Sequence, residues 1–183
     1  MPATTKFTPN FTIRPYQIGD IGWAIEQHGR LYADEYGFNS EFEALVATLF
    51  AKFATQHDAT CEQMWVAEAK GQHGLEPYTE RVGCVFLIRN ADDPQSAQIR
   101  CLLVTPPGRG LGVGRALVAQ CLSFAKEAGY PKIMLWTNAM LHSARHIYEK
   151  VGFELISEEQ HHSFGQDMVG QIWSHTFDLA SRS

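Results

Sequence analysis

VTPPGRGLGVG, residues 104–114, closes an apolar run and opens an amphipathic one. Three of its last six residues are glycine. Glycine costs roughly 1 kcal/mol against alanine inside a helix, so helix stability alone does not place three of them here. The order strand, Pro106 and Pro107, glycine loop, helix suggests another reason. The first four N–H groups of a helix lack an intrahelical partner and carry partial positive charge. Glycine lets a phosphate approach that backbone, and Arg109 adds a charge able to pair bidentately. The stretch reads as a phosphate or pyrophosphate cradle. The plainer reading is a glycine turn that packs a helix against a sheet.

Two familiar cradles fail here. A Walker loop needs Gly-Lys-Ser/Thr at its end, whereas Gly114 is followed by Arg115 and Ala116. A dinucleotide fingerprint sits early in its chain, with an acid about 20 residues on. Here that region reads YPKIMLW, and several elements precede the motif.

Outward from this stretch, helices and strands follow one another. Residues 11–16, FTIRPY, alternate like a strand, after which Asp20 stands ready to cap a helix to about Tyr36. Ile21, Ile25, His28, Tyr32 and Glu35 share one face of that helix. Ser40 and Glu43 have capping-box spacing for a second helix with an apolar stripe from Phe42 to Phe53. Strands are predicted at 64–69, 81–89 and 97–105, separated by turn-rich KGQHGLEPYTE and NADDPQS. The strand at 82–88 is apolar on both faces, as in a sheet covered on both sides. The helix after the glycine loop runs to about Ala128 and a strand covers 132–137, a spacing that favours a parallel pair. A short helix from about Leu141 to Lys150 stops at Gly152 in a left-handed cap. FELIS and GQIWSHTFDL form a last antiparallel pair joined by a long connection, EEQHHSFGQDMV. The expectation is a single α+β domain over residues 1–183, with a mixed sheet of about seven strands and about four helices.

VTPPGRGLGVG fits R-x-x-G-x-G after a V-x-P strand end, and NAMLHSARHIYEKVGF, residues 138–153, fits N-x(5)-A-x(3)-Y-E-K-x-G-F. In this order the two motifs resemble the acetyl-CoA site of the GCN5-related N-acetyltransferase (GNAT) family, with its core at about 97–153. HGRLYADEYGF and HHSFG look like the acetyltransferase half of bacterial proteins in which a MarR-type regulator is fused to such a domain. No regulator half is expected within these 183 residues. The resemblance implies that the strand ending at Leu103 and Val104 splays from the 132–137 strand. The pantetheine arm of coenzyme A would then pair with the backbone of Leu103 and Val104. Arg109, Gly110, Gly112 and Gly114 would offer N–H groups to the pyrophosphate, and Asn138 would contact the arm from the other side. Tyr148 would point at the sulfur and protonate the thiolate that an attacking amine expels.

That amine must be neutral. With a pKa near 10.4 roughly 1 in 2,500 molecules is neutral at pH 7, an offset of about 4.6 kcal/mol, so a base or water relay is expected. The family fixes no residue for it. His28, Tyr32 and Glu35 occupy an inward stripe, where polar groups need partners or a ligand. Glu35 and His28 are candidates for base or amine recognition, with Tyr32 beside them; the plainer reading is an internal hydrogen-bonded cluster. His161 and His162 fall in the last hairpin loop, which in the family overhangs the acceptor cleft. His162 would be a relay base and His161 a substrate contact. Arg100 interrupts an apolar strand and reads as snorkelling at the rim more readily than as a hold on a substrate carboxylate. His142 and His146 have a metal-like spacing but lie on the polar side of their helix without a third ligand, so no metal is expected.

A net charge of −5 and a pI near 5.9 argue against nucleic acid or an anionic membrane as partner. No stretch approaches the ~18 apolar residues of a membrane span. The N-terminal residues lack the apolar core of a signal peptide. Cys61, Cys84, Cys101 and Cys121 show no CxxC pairing and read as reduced core thiols of a cytoplasmic protein. The expected function is acetyl transfer from acetyl-CoA to the primary amine of a small or amino-acid-like acceptor, and a homodimer is compatible with it. The alternatives are an acyl-CoA-sensing module acting on a protein partner and a protein-lysine acetyltransferase.

Overall fold

The computed structural model describes residues 11–73 and 76–178. The elements are β1 (Phe11–Pro15), α1 (Asp20–Tyr36), α2 (Ser40–Gln56), β2 (Gln63–His73), β3 (Glu76–Arg89), β4 (Ser96–Val104), α3 (Val113–Glu127), β5 (Lys132–Asn138), α4 (His142–Lys150), β6 (Glu154–Ser163) and β7 (Gln166–Thr176). The seven strands form one sheet in the order β1-β2-β3-β4-β5-β7-β6. Only β4 and β5 run parallel, the pair that the strand–helix–strand spacing predicts. No helix among the described residues is long and apolar enough to cross a membrane.

Apolar residues on both faces of the central strands call for cover on both sides. Ala67, Val85, Leu87, Ile99, Ile133 and Leu135 pack with α3 and α4. On the other face Ala24, Val46, Phe50 and Phe53 of α1 and α2 cover Met64, Val66, Cys84, Phe86 and Leu103. Phe50, Phe86 and Leu117 are fully buried, and each such side chain contributes roughly 1.5–3 kcal/mol relative to exposure.

Several local expectations give way. Gly19, at φ 98°, precedes α1, so Asp20 stands inside the first turn instead of capping it. Its carboxylate accepts from the Gln17 N–H at 2.7 Å and pairs with Arg14 at 2.6 Å and Arg81 at 3.3 Å. Burial would raise the Asp20 pKa, but the bonds from Arg14 and Gln17 overcome it and hold the carboxyl below its usual range. The cap of α2 is Asn39, whose side chain accepts from the Glu41 N–H at 3.0 Å, in place of Ser40. β2 and β3 continue through the turn-rich segment as far as the pair His73 and Glu76. β6 and β7 likewise run through EEQHHSFGQDMV, joined by a tight turn at Phe164 and Gly165. His161 and His162 therefore lie on β6 and not in a long loop. β6 is an exposed edge strand, so it lacks the apolar alternation that marks a half-buried strand.

β4 pairs with β5 only from Ser96 and Lys132 to Ile99 and Leu135. Beyond that point the β3–β4 register slips and Cys101 takes a left-handed φ of 51°. A bulge of this kind bends its strand. β5 meanwhile keeps pairing with β7 as far as Asn138 and Gly170. The two central strands thus part in mid-sheet.

Candidate active site

α3 starts just beyond this parting. Its N-cap is Gly112 at φ 84°, preceded by Gly110 at φ 77°. A Cβ added at either would meet nothing within 4 Å. Both glycines therefore serve a backbone conformation that L side chains rarely adopt, beside open space. Gly114 does a different job. A Cβ there would lie 2.7 Å from Ile147 Cδ1 and 3.4 Å from Val104 Cγ2, so it lets α3 close on α4. The packing reading holds for this glycine. No side chain caps α3, and Ala116 is the first residue to donate backward, to the Gly112 carbonyl at 3.0 Å. The N–H groups of Val113, Gly114 and Arg115 stay open at the positive end of the helix.

These residues line a cavity of about 560 Å³, in the usual range for a small-ligand site. Leu103, Val104, Arg109, Gly110, Gly112 and Gly114 share its wall with Tyr32 and Glu35 of α1 and the first turns of α4. Glu35 stands apart from the role foreseen for it. Its Oε1 accepts from Arg109 Nη2 at 2.6 Å, while Arg109 Nε reaches the Val104 carbonyl at 3.4 Å. The partners are 48% and 29% exposed, so the pair contributes about 1 kcal/mol or less. Its effect is to fix the Arg109 guanidinium at the glycine loop.

Asn138 ends β5 where β4 has already left it; the residue is buried, and its Oδ1 has no partner. Tyr148, on the inner side of α4, is 4% exposed, with its ring 5.8 Å from Phe153. Burial, with a smaller push from Cys121, raises its phenol well above the ordinary value. The hydroxyl consequently keeps its proton across the whole physiological range.

Across the sheet, His28 is fully buried, with Nδ1 2.7 Å from the Ala24 carbonyl and no partner on Nε2. Burial brings its pKa down to about 4 against the opposing pull of the Ala24 and Cys101 carbonyls. Tyr32 stacks between His28, at 5.9 Å, and Phe42, at 4.4 Å. Burial, aided by nearby Tyr148, raises its phenol as well. On β6 the His161 ring lies 5.5 Å from Trp136, with Nδ1 2.9 Å from Ser163 Oγ and Nε2 buried without a partner. His162, one residue on and mostly exposed, pairs with Asp167 at 2.7 Å. Both histidines line a second cavity of about 670 Å³ beside Met140 and Asp167. The hairpin turn crosses to the α1–α2 connection. Asn39 N–H donates to the Phe164 carbonyl at 3.2 Å, Gln166 Nε2 to the Tyr36 carbonyl at 2.8 Å, and Phe164 lies 5.2 Å from both Phe38 and Phe42.

Tyr32, Glu35 and the glycine-loop residues thus meet around one cavity, and His161 and His162 around another; His28, Asn138 and Tyr148 line neither. Arg115, Ser143 and His146 also line the first cavity and were not foreseen. Arg115 carried a signal, a second cation directly behind the last glycine. Ser143 carried none, and His146 only its spacing from His142, which pointed to no ligand, because a polar helix face looks the same whether it meets water or a ligand.

The profile of the acetyltransferase (GNAT) family matches residues 23–153. The chain belongs to that family. The GNAT match runs from α1 to Phe153 and so includes both motifs, but not β6 and β7. N-acetyltransferase family 8 member 2 of Rattus norvegicus is 32% identical over 123 residues, 64% of this chain and 50% of that protein. The chain spans 39% to 50% of the length of the rat N-acetyltransferase 8 relatives it matches. YncA of Salmonella typhimurium, solved with its cofactor acetyl-CoA, superposes with a TM-score of 0.72 over 94% of this chain and 96% of that one. Its identity of 14% makes this a likeness of fold. A Bacillus anthracis protein in complex with acetyl coenzyme A is 29% identical, with a TM-score of 0.51 over 64% of this chain and 63% of that one.

Proposed function

We propose that this GNAT protein transfers the acetyl group of acetyl-CoA to the primary amine of a small acceptor by direct attack. The observation that carries the reading is the parting of β4 from β5 beside a cavity walled by open N–H groups. The likeness to the Bacillus anthracis complex supports the choice of donor. Acetyl-CoA supplies the acetyl group as an activated thioester, and the rest falls to side chains and backbone of this chain. Arg109, steadied by Glu35, and the N–H groups of Gly110, Gly112 and Gly114 would hold the pyrophosphate. The backbone of Leu103 and Val104, free of β5, would hold the pantetheine arm, with Asn138 Oδ1 accepting from one of its amides. Tyr148 keeps a proton on its hydroxyl and gives it to the departing sulfur. His161 presents Nε2 to the amine when Nδ1–H donates to Ser163 Oγ, and His162 passes the proton on toward solvent. Glu35 becomes a positioning residue for Arg109 in place of a base.

The hairpin turn fastened to the α1–α2 connection restricts the approach to the acceptor side, which favours a small amine over a lysine of a folded protein. The two segments that carry the finer likeness, to the acetyltransferase half of MarR-type fusions, meet in this fold, Phe38 against Phe164. The four free thiols suit a cytoplasmic setting. The test is a panel of amines incubated with acetyl-CoA while free thiol is followed. Amine-dependent thiol release is expected; tight acetyl-CoA binding with no release for any amine would overturn the reading.

A further inference from the structure

Among the described residues five buried side-chain nitrogen or oxygen atoms lack a partner: His28 Nε2, Arg100 Nε, Asn138 Oδ1, Arg145 Nε and His161 Nε2. Folded proteins leave few such atoms, and each calls for a cause. Arg145 is already anchored through Nη1 to the Ala139 carbonyl at 3.0 Å, and Asn138 is spoken for above. The other three share one face of the sheet. Ile99 packs with α3, so Arg100, next along β4 and opposite Phe86, faces the side of α1 and α2. Ile133 and Leu135 pack with α3 as well, so Trp136 faces the same side as Arg100, with His161 against its ring. His28 looks down from α1, its ring 5.9 Å from Phe50. The apolar cluster under α1 and α2 draws on β2, β3 and β4, and Trp136 of β5 is 40% exposed. That face therefore stays open from β5 outward, with the Phe164 turn reaching over it.

Arg100 stands on this face of β4, one residue beyond the last β4–β5 pair, and lines neither described cavity. It is half-buried, forms no ion pair and no hydrogen bond among the described residues, and keeps Nε out of water. Nε is the one atom of the guanidinium buried without a partner, and a buried N–H left unpaired is costly. Snorkelling at the rim accounts for the half-buried side chain but leaves its Nε without a partner. We propose that Arg100 binds the carboxylate of the acceptor, so that the acceptor is an amino acid and not a simple amine or polyamine. The planar fork of arginine matches a carboxylate through two parallel N–H···O bonds. An α-amino acid held there turns its amine toward the parting of the strands. The inference rests on the acetyltransferase reading for the role of that amine, though not for the binding of the carboxylate.

The two can be separated by measuring binding and turnover independently. L-amino acids and their decarboxylated amines are titrated calorimetrically into the protein saturated with coenzyme A. The best amino acid should bind at least ~10-fold more tightly than its amine, and Arg100→Gln should reduce that preference to about 3-fold or less. Coenzyme A affinity should stay within about 2-fold, since Arg100 does not line the glycine-loop cavity. If Arg100→Gln does not fold, Arg100→Lys, which keeps the charge and loses the fork, should show a weakened preference. Equal binding of acids and amines by the wild type, no binding of either, or a preference untouched by substitution overturns the carboxylate assignment. Thiol release from amines without preference for acids overturns it too and leaves the acetyltransferase reading standing. A binding preference lost in Arg100→Gln, without thiol release from any acceptor, does the reverse.

Discussion

Beside the parting of β4 and β5 the sheet side of the cavity is largely main chain, made of the end of β4, two glycines at positive φ and the open N–H groups of α3, with side chains of α1 and α4 completing it. On the face of α1 and α2 side chains stand instead: His28 from α1, Arg100 from β4, Trp136 from β5 and His161 from β6, of which His161 lines the second cavity. The first kind of wall suits a ligand portion that never changes, because backbone groups offer the same geometry whatever the neighbouring side chains are. The second kind can be rewritten one residue at a time. A family that keeps one donor and varies its acceptor would be built in this way.

Substitutions can test this contrast, and the greatest effect is expected on the main-chain side. Gly112→Glu forces a side chain into a left-handed position and puts a negative charge at the helix N-terminus. Acetyl-CoA affinity by calorimetry should fall by about 100-fold or more with the circular dichroism spectrum retained. An unchanged affinity in the folded variant sinks the pyrophosphate assignment. Tyr148→Phe keeps the ring and deletes the donor. Turnover should drop by about 100-fold at constant acetyl-CoA affinity. Because the phenol pKa is raised, wild-type turnover should show no loss attributable to Tyr148 below about pH 10. A rate within threefold of wild type removes the proton-donor role.

The acceptor side should announce itself through pH. His28 titrates near 6.5 when unfolded and at about 4 when folded. Its contribution to stability is therefore complete above about pH 6.5 and shrinks as pH falls toward 4, by about 2 kcal/mol at pH 5. Urea unfolding at pH 7 and pH 5 should show this loss in the wild type and less of it in His28→Phe; parallel losses would mean that other groups dominate. The smallest effect belongs to Glu35→Gln, which decides the side to which Glu35 belongs. Releasing Arg109 should weaken acetyl-CoA binding by about 2- to 5-fold and leave the pH profile for the amine unchanged. A shifted acidic limb with intact acetyl-CoA affinity would return Glu35 to the acceptor side.

The glycine loop and the second motif were legible because their geometry is local. Strand end, glycine loop and helix start are contiguous in residues 104–114, and the motif of 138–153 is contiguous too. Glu35 and Arg109 stand 74 positions apart, so the helical spacing that groups Glu35 with His28 says nothing of what faces it. Helix starts slipped by one residue at Asp20 and Ser40 because Gly19 supplies a left-handed turn before α1 and Asn39 caps as well as Ser40 can. The full length of the β6–β7 hairpin, foreseen only as a shorter pair, hid for another reason: with water on most of β6, nothing in residues 154–163 needs to alternate.

The parting of β4 and β5 leaves an edge in the middle of a sheet, where main-chain groups that elsewhere pair with a neighbour have none. Such an edge is a place to which a strand can be lent. A ligand that lies along it finishes the fold as it binds, and the folded state gains about 2.7 kcal/mol once the ligand reaches a hundred times its Kd. The melting temperature should then rise with ligand concentration and so gauge occupancy. If acetyl-CoA is the ligand of that edge, as proposed, the fraction that survives unfolding in a cell would follow its supply.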